Sequence, residues 1–139
     1  MRFGLGFAVL GSVMASAASA DSSVDIDRAV YVERAAEGVR ALEPATALRR
    51  GDKVVLVVAW QGGARGRHFT VQSAVPRTLA FQRAGSDAAE VSIDGGRTWG
   101  TLGALRIGNR LASPEDVTHV RQRTTGRADG RMTFSAIVR

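Results

Sequence analysis

The sequence predicts an all-β domain, a small two-sheet β-sandwich of about seven to nine short strands. Three observations carry that prediction. Apolar residues recur with a period of two more often than 3.6, the signature of strands rather than helices. Gly, Asp and Pro clusters interrupt the apolar runs at spacings of roughly ten residues, as turns do in such folds. The competing helix, Arg34–Leu42, would gather Ala35, Ala36, Val39 and Leu42 on one face, but Gly38 and Pro44 limit it to a short turn.

The strands follow in order. Val24, Ile26, Val30 and Val32 lie on one side of a first strand. Lys53–Trp60 (KVVLVVAW) is the strongest strand, with seven apolar residues in a row between Gly51-Asp52 and Gln61-Gly62-Gly63. Its length and β-branching predict cover on both faces over part of its length. Phe69, Val71 and Val75 alternate up to Pro76, which ends or bends the strand because it has no N–H for the ladder, and Leu79 and Phe81 follow. Val91-Ser92-Ile93 runs into Asp94-Gly95-Gly96 and on to Arg97-Thr98-Trp99, which predicts a tight Asp-Gly hairpin. Leu102, Leu105 and Ile107 suggest a short strand broken by glycines. Val117–Thr125 and Met132–Val138 complete the set, linked by Gly126–Gly130. The expected core comprises Val55, Val57, Phe81, Ile93, Leu105, Val120 and Phe134, with Trp60 and Trp99 as its aromatic members.

Composition bounds the rest. With 139 residues the chain suits one domain, and 45% hydrophobic residues make it too apolar for a disordered basic tail. The absence of cysteine excludes disulfide staples, a thiol nucleophile and cysteine–zinc sites. Arg2, the uncharged apolar stretch Gly4–Met14 and Ala18-Ser19-Ala20 have the order of a secretory signal peptide. Residues 1–20 are therefore expected to be cleaved, and residues 21–139 to form a single domain of the periplasm or the cell exterior. The apolar core of this leader falls short of the roughly 20 residues a membrane span needs, so the mature chain is expected not to span the membrane.

The run from Val30 to Arg139 resembles the conserved repeat domain of unknown function found in bacterial exported and cell-surface proteins, in its single-domain proteobacterial version. The matching pieces are Tyr31-Val32-Glu33-Arg34, Leu42-Glu43-Pro44, Gly51–Leu56, Phe69-Thr70-Val71 and Val75-Pro76. They continue with Val91–Gly100, Asp116–Arg121 and Gly130–Phe134. The resemblance implies an immunoglobulin-like β-sandwich in the cell envelope, with no established activity or cofactor. Three positions depart from the family pattern. Arg50 stands where proline is usual, Gln61–Ala64 replaces an Asn-Thr-Gly type of turn, and Gln122 stands where tryptophan is preferred.

Candidate sites are sparse. His68 and His119 are the only histidines, and neither has a second ligand at metal-binding spacing. Asp94, with Asp87 and Glu90 nearby, lacks the regular oxygen ligands of a calcium loop. Gly51, Asp52, Asp94, Gly95 and Gly96 all have turn-forming explanations. No catalytic, cofactor or metal residue is assigned, and the chain is expected not to be an enzyme. The net charge of +6 would suggest nucleic acid in a cytoplasmic protein; behind an export leader it points elsewhere. Arg65, Arg67, Arg121 and Arg123 form the candidate binding surface. The leading expectation is a structural or protein-interaction module that contacts another envelope protein. The alternative is a domain that binds anionic glycan or lipid surfaces through an arginine-rich face.

Overall fold

The computed structural model describes residues 24–62, 66–124, 126 and 129–139. The expected signal peptide, residues 1–20, and Arg65 lie outside the described residues. Ten strands form among them: β1 (Asp25–Ala36), β2 (Val39–Pro44), β3 (Lys53–Gln61), β4 (Thr70–Ala74), β5 (Leu79–Ala84), β6 (Ala89–Ser92), β7 (Arg106–Ile107), β8 (Arg110–Leu111), β9 (His119–Arg123) and β10 (Gly130–Val138). A 3-10 turn at Pro114–Asp116 precedes β9. The chain is therefore an all-β domain.

β2, β1, β3, β10 and β5 lie side by side in that order in one sheet; β4, β9 and β6 form a second, and β7 and β8 a small third. The two larger sheets bury one common cluster. Val54, Leu56, Val58 and Trp60 of β3 and Met132, Phe134 and Ala136 of β10 meet Val71 of β4, Val91 of β6 and Val120 of β9. This arrangement is consistent with a β-sandwich, in which two inner faces interdigitate. Phe81 of β5 packs at 6.0 Å from Phe134, ring centre to ring centre. Each such fully buried side chain contributes roughly 1.5–3 kcal/mol.

The alternation along β3 runs opposite to the expected core. Val54, Leu56, Val58 and Trp60 are buried, while Val55 and Val57 are half-buried on the outer face. Seven consecutive apolar residues carry no phase of their own. The neighbouring strand supplies it: Val57 pairs with Thr133 and Val55 with Ser135, whereas Leu56 pairs with Phe134. Because side chains alternate with a period of two, a single polar row on β10 decides which valines face inward. Ile93 and Leu105 are only partly buried against the cluster, and Trp99 stands outside it.

Two glycines are dictated by close approach. A Cβ on Gly130 would lie 2.5 Å from Cζ2 of Trp60, so the indole packs flat on bare backbone where β10 begins. A Cβ on Gly85 would collide with the Thr133 side chain. The Gly85 amide also donates to the Thr133 carbonyl, which extends the β5–β10 pairing.

Candidate interaction surfaces

The segment from Ser92 to Gly100 is the most heavily bonded loop. Val91 and Gly100 exchange backbone hydrogen bonds of 2.8 and 3.0 Å, so a wide loop replaces the tight Asp-Gly hairpin. Its centre is the Asp94 carboxylate. It accepts from the Thr98 hydroxyl at 2.6 Å, the Thr98 amide at 2.9 Å, the Ser92 hydroxyl at 2.8 Å and the Arg97 amide at 3.1 Å. Thr98 first, then Ser92 and Arg97, hold this carboxyl well below the usual carboxylate range. Gly95 and Gly96 take φ of 79° and 92°, and their amides donate to Thr118 Oγ1 and Ser92 Oγ. Asp94 thus spends its acceptor capacity on its own loop.

The loop sets Trp99 on the outer face of the three-stranded sheet. The indole Nε1 donates to the Gly96 carbonyl at 3.0 Å, and His119 meets the ring edge-on at 6.4 Å. The Arg121 guanidinium lies over the indole, 4.5 Å from its centre. The same guanidinium donates twice to Glu90 Oε1, at 3.2 and 3.0 Å. One face of Trp99 is therefore covered and the charge of Arg121 is paired, which leaves little for an incoming anion. Arg123 is exposed on the same face of β9, and Arg67 is exposed in the loop before β4. Thr70, at the start of β4, pairs with Arg123, so Arg67 and Arg123 stand toward one end of the sheet, away from the Trp99 cluster.

The histidines are far apart. His68 Nδ1 lies 2.9 Å from the Thr124 carbonyl, beyond the far end of β9, whereas His119 opens that strand and has Nδ1 3.0 Å from Thr118 Oγ1. Five residues of strand separate their anchor points, about 17 Å. Among the described residues no group of three or more His, Asp or Glu is placed to hold a metal. An open cleft of about 680 Å³ runs past Val75, Arg77, Leu79, Glu115, His119 and Arg139. Two of its polar side chains are already bonded: Arg139 donates to the Leu79 and Glu115 carbonyls. Asp116 accepts from Arg110 at 2.8 Å and from the Ser113 amide and hydroxyl. Arg110 first, then Ser113, hold that carboxyl below its usual range.

Gly51 and Asp52 form the turn that enters β3. Gly51 has φ of 89°, and its amide donates to the Val138 carbonyl while Val138 donates back to Asp52. The Asp52 carboxylate accepts from the Arg49 amide at 2.8 Å and from Arg34 at 3.3 Å.

The least covered part of the fold is the β1–β2 hairpin. β1 pairs with β3 from Asp25 to Val32, and from Glu33 to Ala36 its only strand partner among the described residues is β2. The hairpin turns at Glu37-Gly38 with φ of 52° and 78°, the left-handed pair of a two-residue turn. Every residue of β2 is exposed. Val39 is 66% and Leu42 54% accessible, and β1 is the one strand partner of β2 among the described residues. Glu33 ties the arm down through Arg40 at 3.4 Å and Lys53 at 3.5 Å. Val39 and Leu42, which could share a helix face by spacing alone, lie in this strand instead, and the Glu37-Gly38 pair is the local signal for the hairpin.

No family model matches this chain, and comparison with curated proteins and with solved structures finds no match either.

Proposed function

We propose that the chain is an exported, non-catalytic, immunoglobulin-like sandwich that serves the cell envelope as a protein-interaction module. It accepts a partner strand on the free edge of β2. The observation that carries this reading is that edge, exposed at all six residues and bearing Val39 and Leu42. An open strand edge offers unpaired N–H and C=O groups, and adding a strand satisfies them while alternate side chains give selectivity. The leader pattern of residues 1–20 supports export, and the family resemblance supports the envelope and the immunoglobulin-like arrangement. The arginine-face alternative has weaker support, because Arg121 is already paired with Glu90 and stacked on Trp99.

The test is retention of residues 21–139 on purified envelope fragments across a salt series. Replacing Val39 and Leu42 together by lysine, at sites already exposed, should abolish retention and leave the melting temperature unchanged. Retention by the parent should vary little from about 0.05 to 0.5 M salt. Steep loss with salt, abolished by Arg67→Glu with Arg123→Glu and untouched by the lysine pair, would favour an anionic glycan or lipid surface instead.

A further inference from the structure

β3 is apolar on both faces, yet one face alone enters the core. On the other, Val55, Val57 and Ala59 run down the middle of the five-stranded sheet. Ala29 and Tyr31 of β1 flank them on one side, and Thr133 and Ser135 of β10 on the other. All seven are half-buried, and none belongs to the core cluster. Across β1, β3 and β10 the two central rows, Ala29-Val57-Thr133 and Tyr31-Val55-Ser135, contain no charge, and Arg83 of β5 lies beyond Ser135 at the margin. An uncharged, largely apolar strip of this kind is suited to packing against another sheet.

We propose that this face is a homodimer interface, with a second copy of the chain packed across it about a two-fold axis along β3. Three features select a second copy. β3 is the middle strand of five, in the order β2-β1-β3-β10-β5, so rotation about it lays β1 over the partner's β10 and β2 over the partner's β5. The contact is then isologous, with each strand meeting the partner's strand from the other side of the axis.

Charge is the second feature. In the row of Ala59, Asp27 of β1 and Arg131 of β10 stand on opposite sides of the axis. Both are exposed, and neither forms an ion pair among the described residues. The rotation brings Asp27 to the partner's Arg131, and Arg131 to the partner's Asp27. Two symmetric ion pairs then close one end of the interface and fix its register. At the opposite end Glu33 is already shared by Arg40 and Lys53, while Asp25, beside Gln61 in the outermost row beyond Asp27, stays exposed at the rim.

Area is the third. β1, β3 and β10 at about 4.8 Å between strands and some nine residues at about 3.3 Å span roughly 14 by 30 Å, and the short overlap of β2 and β5 at one end brings this to about 500 Å² on each side. A total of about 1,000 Å² is the lower bound of a specific interface, so the dimer is a weak one. The proposal uses the sheet face and is independent of the β2 edge.

Sedimentation equilibrium of residues 21–139 over a wide concentration range tests it. The parent should show a monomer–dimer equilibrium. Asp27→Arg and Arg131→Asp should each weaken it by roughly tenfold or more, and the double exchange should restore it. Val57→Lys should leave a folded monomer by circular dichroism, while Val39→Lys, at a residue paired with Ala36 beyond the end of β3, should leave the dimer intact. A parent that stays monomeric up to about 1 mM would overturn the proposal. So would a dimer indifferent to both charge reversals, a dimer lost with Val39→Lys, or a monomer whose vesicle binding is what Val57→Lys removes.

Discussion

Replacing Val58 and Val57 by alanine, one at a time, measures which face of β3 holds the fold together. Val58 is 1% accessible inside the common cluster. Truncation removes two methyl groups' worth of buried surface, about 1.6 kcal/mol at roughly 0.8 kcal/mol each. The void of about 50 Å³ adds up to about 1 kcal/mol at roughly 24 cal/mol per Å³, less whatever the walls recover by collapsing. The expected loss is about 2–2.5 kcal/mol. Val57 is half-buried, pairs with Thr133 and leaves no closed void, so its loss should stay below about 1 kcal/mol. Urea unfolding of residues 21–139 reads both, at a protein concentration low enough to keep the chain monomeric. With a slope near 1.5 kcal/mol per molar, the midpoint should fall by about 1.5 M for Val58→Ala and by less than about 0.7 M for Val57→Ala. An equal or larger loss at Val57 would refute the assigned alternation.

Two further outcomes follow from the packing and the carboxylates. Gly130→Ala drives a methyl group to 2.5 Å from a Trp60 ring that is 4% accessible; it should cost about 1–3 kcal/mol in thermal unfolding, far more than an alanine at an uncrowded strand position. Asp94 and Asp116 both titrate below the usual range in the folded chain, so the unfolded chain binds their protons more readily. The stabilisation is complete above the ordinary carboxylate pKa of about 4 and is lost as pH falls below it toward the depressed folded values. Melting temperature against pH should therefore be level near neutrality and fall in acid, and Asp94→Asn should flatten part of that fall.

The strands were legible because their signal is local. Lys53–Trp60 and Met132–Val138 were expected, and β3 and β10 occupy Lys53–Gln61 and Gly130–Val138. What escaped was settled by tertiary pairing. The inward phase of β3 depends on Thr133 and Ser135 across the sheet, some 76–80 residues away in sequence. Trp99 looked like core because a large aromatic normally is. Its place on the outer face follows from the hydrogen bonds of Asp94 and Gly96, which turn the loop back over β9. Arg121 looked like a free cation until its neighbours on β6 and in the loop, Glu90 and Trp99, were in view. Conversely, the apolar run of β3 predicted cover on both faces, and the outer face remains for a second copy to supply.

The interaction role rests on the edge of β2, and amide hydrogen exchange tests it most directly. Residues 21–139 would be labelled free and while retained on envelope fragments, with protection compared peptide by peptide. The account predicts new protection in Val39–Pro44, with no change around Trp99 and His119–Arg123. Protection confined to Trp99 and β9, with Val39–Pro44 exchanging as in the free chain, would contradict it.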